Sequence, residues 1–176
     1  KDFRERPIGP DGQVLAVTDG QGLAVIDRGK DHHLQAGLSF DVYTHGKGAQ
    51  KIYKGSITVL DVGDYTSKVR IINLKNEMMP MVKGDYIESM TYNPNEKLAF
   101  VLIGRFRKYG RSDAAKRIEQ LGQDVQGAVS IDTDYLVIGA PESEDQNLED
   151  TDAYRKAKEL GVKIITEAQL SSFLRY

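Results

Sequence analysis

Leu98-Ala99-Phe100-Val101-Leu102-Ile103-Gly104 decides the architecture of this 176-residue chain. Its unbroken apolar run leaves no polar face for water, so it reads as a strand covered on both sides, the mark of a parallel sheet between helices. The residues that follow supply those helices. Ser112 reads as an N-cap, Asp113 sits in the first turn, and Ala115, Ile118 and Leu121 recur at helical spacing before Gly122 ends the run. Residues 125–129 and 134–138 read as short strands. Tyr154, Ala157 and Leu160 stripe a second helix closed by Gly161, and Val162-Lys163-Ile164-Ile165 is a strand. Thr166-Glu167-Ala168-Gln169 is a capping box that opens a last helix on Leu170, Phe173 and Leu174. The order β-α-β-β-α-β-α predicts an α/β fold with a short, mainly parallel sheet flanked by helices.

Upstream the pattern changes. Asn93-Pro94-Asn95-Glu96-Lys97 is polar, and Pro94 lacks an N–H and biases Asn93 away from helix. Residues 94–97 are therefore expected to link two domains, 1–93 and 98–176. Residues 1–93 hold 11 of the 17 glycines. Gln13-Val14-Leu15-Ala16-Val17, the turn Asp19-Gly20-Gln21-Gly22 and Leu23-Ala24-Val25-Ile26-Asp27 form a hairpin signal. Residues 39–44, 51–62, 68–72 and 86–87 read as further strands, with Gly55 at a bulge or bend. Five or six strands spaced this closely lose their exposed edges by closing into a small barrel. In pattern, this all-β half resembles SH3-like modules, without a diagnostic motif.

Few residues of the barrel half suggest chemistry. Asp31-His32-His33 is expected on an exposed loop, because adjacent histidine side chains diverge. Gly46-Lys47-Gly48 lacks the spacing of a phosphate-wrapping loop and reads as a hairpin turn. Met78, Met79 and Met81, around Pro80, read as a core plug. Asp41 and Asp61 face no evident Ser or His partner.

Composition narrows the rest. With no Cys, a disulfide framework, a Cys-ligated metal and a cysteine nucleophile are all excluded. No apolar run approaches the roughly 18–20 residues needed to span a bilayer, and no signal peptide is visible. The start at Lys1 reads as that of a fragment, and a reducing, cytoplasmic setting is expected. The net charge of −2 is a cancellation. Residues 97–121 carry seven basic side chains (Lys97, Arg105, Arg107, Lys108, Arg111, Lys116, Arg117) and two acidic ones, whereas residues 141–152 carry six acidic and no basic ones.

Several stretches, in order, carry a resemblance. They are Phe100-Val101-Leu102-Ile103-Gly104, Arg111-Ser112 with Ile118-Glu119-Gln120-Leu121-Gly122, Gly127-Ala128-Val129-Ser130 with Thr133-Asp134-Tyr135-Leu136-Val137, and Ala157-Lys158-Glu159-Leu160-Gly161-Val162-Lys163-Ile164-Ile165. Together, over roughly residues 97–176, they resemble a BRCT domain, most nearly the BRCT module of bacterial NAD-dependent DNA ligases. The resemblance implies a phosphate-binding corner after the first strand of this half. The chain departs from the pattern there: Ile103 stands where many members have Ser or Thr. Gly122-Gln123 replaces a Gly-Gly pair, Gln169 falls near a common Trp, and the usual phosphate-site Lys falls near residues 154–156. No Lys-x-Asp-Gly nucleotidylation motif is present, so the chain is not expected to be an enzyme.

The candidate site follows from the basic run beside the expected helix N-terminus, where N–H groups and Arg favour an anion. It comprises Gly104, Arg105, Arg107, Lys108, Arg111, Ser112 and Lys156, as a seat for phosphate or for a partner. No catalytic, metal or cofactor residue is expected. The absence of a catalytic set, together with the resemblance, predicts a non-catalytic scaffold that recognises proteins, with self-association through an apolar helix face. The alternative is DNA, bound at a 5′-phosphate end through the basic corner in repair or replication. An enzyme with a site between the domains is a third expectation, which a deep cleft lined by polar groups would mark.

Overall fold

The computed structural model describes residues 9–18 and 20–174, so Asp19 of the expected first turn and the segments 1–8 and 175–176 lie outside it. Two compact units meet between Glu96 and Lys97.

The first unit is a closed antiparallel barrel of six strands. These are β1 (Gly12–Thr18), β2 (Leu23–Ile26), β3 (Ser39–His45), β4 (Lys51–Val62), β5 (Ser67–Leu74) and β6 (Tyr86–Glu88), joined in the order β1-β2-β5-β4-β3-β6. The small barrel expected from the turn spacing is therefore present, and it leaves no open sheet edge. Val14, Ala24, Ile26, Phe40, Val42, Ile57, Val59, Val69 and Ile87 fill its core.

Along β4 the buried positions change parity, from Lys54 to Ile57 and Val59. A strand allows this only where an extra residue is inserted. The insertion lies where Val42 pairs with Gly55 while Tyr43 pairs with Tyr53, which leaves Lys54 unopposed. Gly55 adopts φ +156°, and a Cβ there would lie 1.8 Å from the Asn73 carbonyl oxygen. The displaced Lys54 is 6% exposed, and its ammonium donates to both Asp85 oxygens at 2.9 and 2.8 Å and to the Pro80 carbonyl at 3.0 Å. Asp85 also accepts from the Val82 N–H at 2.8 Å. This pair shapes the methionine segment. Met81 is buried and plugs the barrel as expected, but Met78 and Met79 are exposed, because the ion pair holds only the end of the segment inward.

Other expectations for this half are amended by contacts distant in sequence. Asp41 has a Ser partner after all, the Ser56 hydroxyl at 3.1 Å. His32 lies in a short 3₁₀ turn, and its carbonyl accepts the buried Tyr92 hydroxyl at 2.6 Å. The Tyr92 ring meets Phe40 edge-on, with centroids 5.1 Å apart.

The second unit is a four-stranded sheet of β7 (Ala99–Ile103), β8 (Asp124–Gln126), β9 (Tyr135–Ile138) and β10 (Lys163–Thr166), in the order β10-β9-β7-β8 with every neighbouring pair parallel. Its helices are α1 (Arg111–Gln120), α2 (Asp152–Leu160) and α3 (Glu167–Leu174). Val101, Ile103, Leu136, Ile138 and Ile164 pack with Ala153, Tyr154, Ala157 and Leu160 of α2. By the two-residue period of a strand, Phe100, Tyr135, Val137 and Ile165 turn to the opposite face. There α1 and α3 bury Ala114, Ile118, Leu170 and Leu174, and the Arg117 Nε donates to the Leu174 carbonyl at 3.1 Å. Helices thus cover both faces, as the apolar run requires. Ser112 is not the N-cap of α1: Gly110 holds that position, one residue outside Arg111, and contributes no side-chain cap.

Two outcomes follow for the barrel. Lys54→Met strands the Asp85 carboxylate and is expected to cost about 3–5 kcal/mol, read in urea unfolding, with much of the loss recovered when Asp85 is replaced by Leu as well. Burial raises the Tyr92 phenol well above its ordinary value of 10.0. A raised value means the fold favours the neutral form. This contribution is therefore complete below about pH 10 and is lost as pH rises beyond it. Tyr92→Phe should melt lower at neutral pH, yet fall less steeply across the alkaline range.

Candidate functional site

The order of the sheet fixes where a site can form. From β7 the chain crosses by α1 to β8 on one side, and from β9 it crosses by α2, on the opposite face, to β10 on the other. The winding reverses between β7 and β9. In open α/β sheets a crevice opens at such a point, beyond the carboxyl ends of the strands. Both charged segments leave from there: the basic loop 104–110 from β7 and the acidic stretch 141–152 from β9.

The two loops are knitted at their roots. Arg105 and Ala140 exchange backbone hydrogen bonds, N–H to O, at 2.7 and 2.8 Å, and the Gly139 N–H donates to the Ile103 carbonyl at 2.9 Å. Glycine permits this approach at two places. A Cβ on Gly104, where φ is +84°, would lie 2.7 Å from the Ala140 oxygen, and one on Gly139 would lie 2.5 Å from the Arg105 oxygen. Phe106 is buried beneath the loop, which leaves its basic neighbours on the outside.

The sequence-derived residues divide here. Arg105, Arg107, Lys108, Arg111 and Ser112 are all exposed along one loop and the first turn of α1, next to buried Gly104. The side chains of Arg105 and Arg107 make no hydrogen bond or ion pair with any described residue. Arg111 is engaged: its guanidinium donates to the Gly104 carbonyl at 3.4 Å and to Glu142 at 3.3 Å. It braces the basic loop against the acidic one in a pair about half exposed on each side, of the kind worth little in free energy. Lys156 stands exposed on α2, on the opposite face of the sheet from α1, and makes no hydrogen bond or ion pair with the loop among the described residues. Ile103 packs against the α2 cluster, so apolar contact occupies the place where a hydroxyl would serve phosphate.

One contact was missed from the sequence. The Glu167 carboxylate, at the first residue of α3, accepts from the Arg107 N–H at 2.8 and 3.0 Å and from the Lys108 N–H at 3.1 Å. The expected capping box around it does form, with Thr166 and Gln169 exchanging bonds at 2.9 and 3.3 Å. Nothing local signals that the residue between them reaches back to the basic loop.

Comparison with known proteins bears on this second unit. The family model described as the BRCA1 C Terminus (BRCT) domain matches residues 90–173. The match begins in the last residues of the barrel unit and covers residues 97–173 of the second unit, which is a BRCT domain.

A DNA ligase of Finegoldia magna is 40% identical over 79 residues, which are 45% of this chain and 11% of that protein. DNA ligase 1 of Clostridium acetobutylicum is 32% identical over 123 residues, 68% of this chain and 17% of that protein. A DNA ligase of Clostridium botulinum (strain Langeland) is 29% identical over 124 residues, 69% and 17%. The matches thus span 11–17% of the length of these relatives. They overturn the expectation of a non-catalytic protein-recognition scaffold: the relatives that share the BRCT domain are named as ligases of DNA. No helix among the described residues is long and apolar enough to cross a membrane.

Gly139→Ala places a methyl group 2.5 Å from the Arg105 carbonyl oxygen and 2.7 Å from the buried Phe106 ring, and the backbone contact cannot yield as a flexible side chain would. A loss of about 1–3 kcal/mol is expected, read as a lower melting temperature, together with faster hydrogen exchange at the Arg105 and Ala140 amides.

Proposed function

We propose that the BRCT domain of this chain binds DNA, with the basic loop 104–111 at a 5′-phosphorylated end, in a role related to that of DNA ligases. The supporting observation is the pair of exposed guanidiniums, Arg105 and Arg107, unpaired among the described residues at the point where the sheet reverses its winding. Arg presents a planar fork suited to phosphate oxygens. The residue pattern of the loop supports it too, since residues 104–111 hold four cations and no acid. The names of the relatives give the same direction.

Within this proposal the chain contributes binding rather than bond formation. It has neither a Lys-x-Asp-Gly motif nor any Cys for a zinc finger. The phosphate is held by cations and backbone amides rather than by a hydroxyl at position 103. Arg111 keeps the loop in place, and Ser112 adds a hydroxyl at the start of α1. A cytoplasmic setting belongs to the same proposal.

The test is a fluorescence-anisotropy titration of the chain with a 5′-phosphorylated duplex and its 5′-hydroxyl twin over a range of salt. Affinity should fall steeply with salt, and the phosphorylated duplex should bind more tightly. Each phosphate contact removed should lower the logarithmic salt slope by about 1, so Arg105→Ala with Arg107→Ala should lower it by about 2. Unchanged affinity in that double variant would overturn the proposal.

A further inference from the structure

The contact between Glu167 and the basic loop is an anion already bound. Two consecutive backbone N–H groups converge on one carboxylate at 2.8–3.1 Å. Successive N–H groups arranged in this way form a concavity that accepts anions. The donors belong to the backbone, so the concavity depends on the shape of the loop and not on any one side chain. Arg105, Arg107 and Lys108, at or beside it in the chain, are all exposed. The Arg105 and Arg107 side chains form no hydrogen bond or ion pair with any described residue, and the Glu167 carboxylate meets only backbone amides here.

We propose that the Arg107–Lys108 amide pair is the seat of the terminal phosphate of a DNA end, and that Glu167 is its intramolecular stand-in in the free protein. This rests on the DNA-binding function proposed above. A phosphate monoester carries up to two negative charges on three strong acceptor oxygens. It satisfies the same two amides and, in addition, takes charge-assisted bonds from the neighbouring Arg side chains. Exchange asks little of the fold. The capping bonds between Thr166 and Gln169 hold the start of α3, so Glu167 leaves by rotating its side chain while the helix stays in place. No covalent step is involved. A DNA end is favoured over a phosphopeptide because every charged residue of the loop 104–111 is cationic and Phe106 is buried, while the exposed Tyr109 offers one aromatic face and no apolar slot.

The test compares the unaltered chain with Glu167→Gln and Glu167→Ala, using the 5′-phosphate and 5′-hydroxyl duplexes. Removing a charge near DNA strengthens all binding, so the readout is the ratio of the two affinities. That ratio should rise by about three- to tenfold in Glu167→Gln, as a charge-assisted competitor is replaced by a neutral one. In parallel, the Arg107 and Lys108 amide resonances are followed during titration with inorganic phosphate, and they should shift at lower phosphate in Glu167→Gln than in the unaltered chain. An unchanged or smaller ratio, in a protein that still binds both duplexes, would make Glu167 a strut and overturn the inference while leaving DNA binding intact. Amides that follow phosphate in a protein that binds neither duplex would uphold the anion seat and overturn the DNA assignment, as would tighter binding of a phosphoserine peptide than of the 5′-phosphate duplex. If Glu167→Gln loses its native amide dispersion, Glu167→Asp, with its shorter reach, replaces it and should move the ratio in the same direction.

Discussion

The parallel pairing of β7 with β9 governs the second unit. Both strands need a crossover to reach their next partner, and such crossovers are right-handed. Because β7 moves outward to β8 and β9 moves outward to β10 in opposite directions, the same handedness sends α1 and α2 to opposite faces. The apolar run at residues 98–103 follows from this, since a central strand with helices on both sides has no face to spare. The two loops emerge side by side and must be joined at their roots, which Gly104 and Gly139 permit. The segregation of charge noted along the chain becomes a spatial one at that junction.

How much of this is written locally can be judged residue by residue. The β7 run is legible because both of its faces are apolar, and Gly122 and Gly161 mark helix ends because both take the left-handed conformation. The barrel is legible from its turns. The start of α1 is not, because Ser112 is as good a cap as any, and only the path of the loop decides that Gly110 takes the position. Lys54 in mid-strand reads as a surface residue until the fold brings Asp85 against it. Glu167 is the sharpest case. A glutamate in a capping box looks the same whether it faces water or a loop sixty residues earlier in the chain.

The functional expectation failed for a related reason. The lack of a catalytic constellation does not single out protein recognition, because it bears equally on any binding role. The stronger signal was the uneven distribution of charge, and a near-neutral total concealed it. Gln123 shows how such a module can also be altered without losing its frame. In the Gly-Gly position of the family pattern, its side-chain carbonyl accepts from the Leu98 N–H at 2.7 Å, while the Asp134 carboxylate accepts from the next amide, that of Ala99, at 2.8 Å. The start of β7 is set by side chains on both of its neighbours.

The barrel's buried ion pair reaches as far as the chemistry of oxidation. By gripping Pro80 and Val82 from below, Lys54 and Asp85 hold Met81 at 3% exposure and leave Met78 at 90%. Thioethers become polar sulfoxides on contact with oxidants, and access governs which do so first. Met78 can therefore take up oxidant at the surface without a polar group entering the core, whereas the same change at Met81 would open the plug of the barrel.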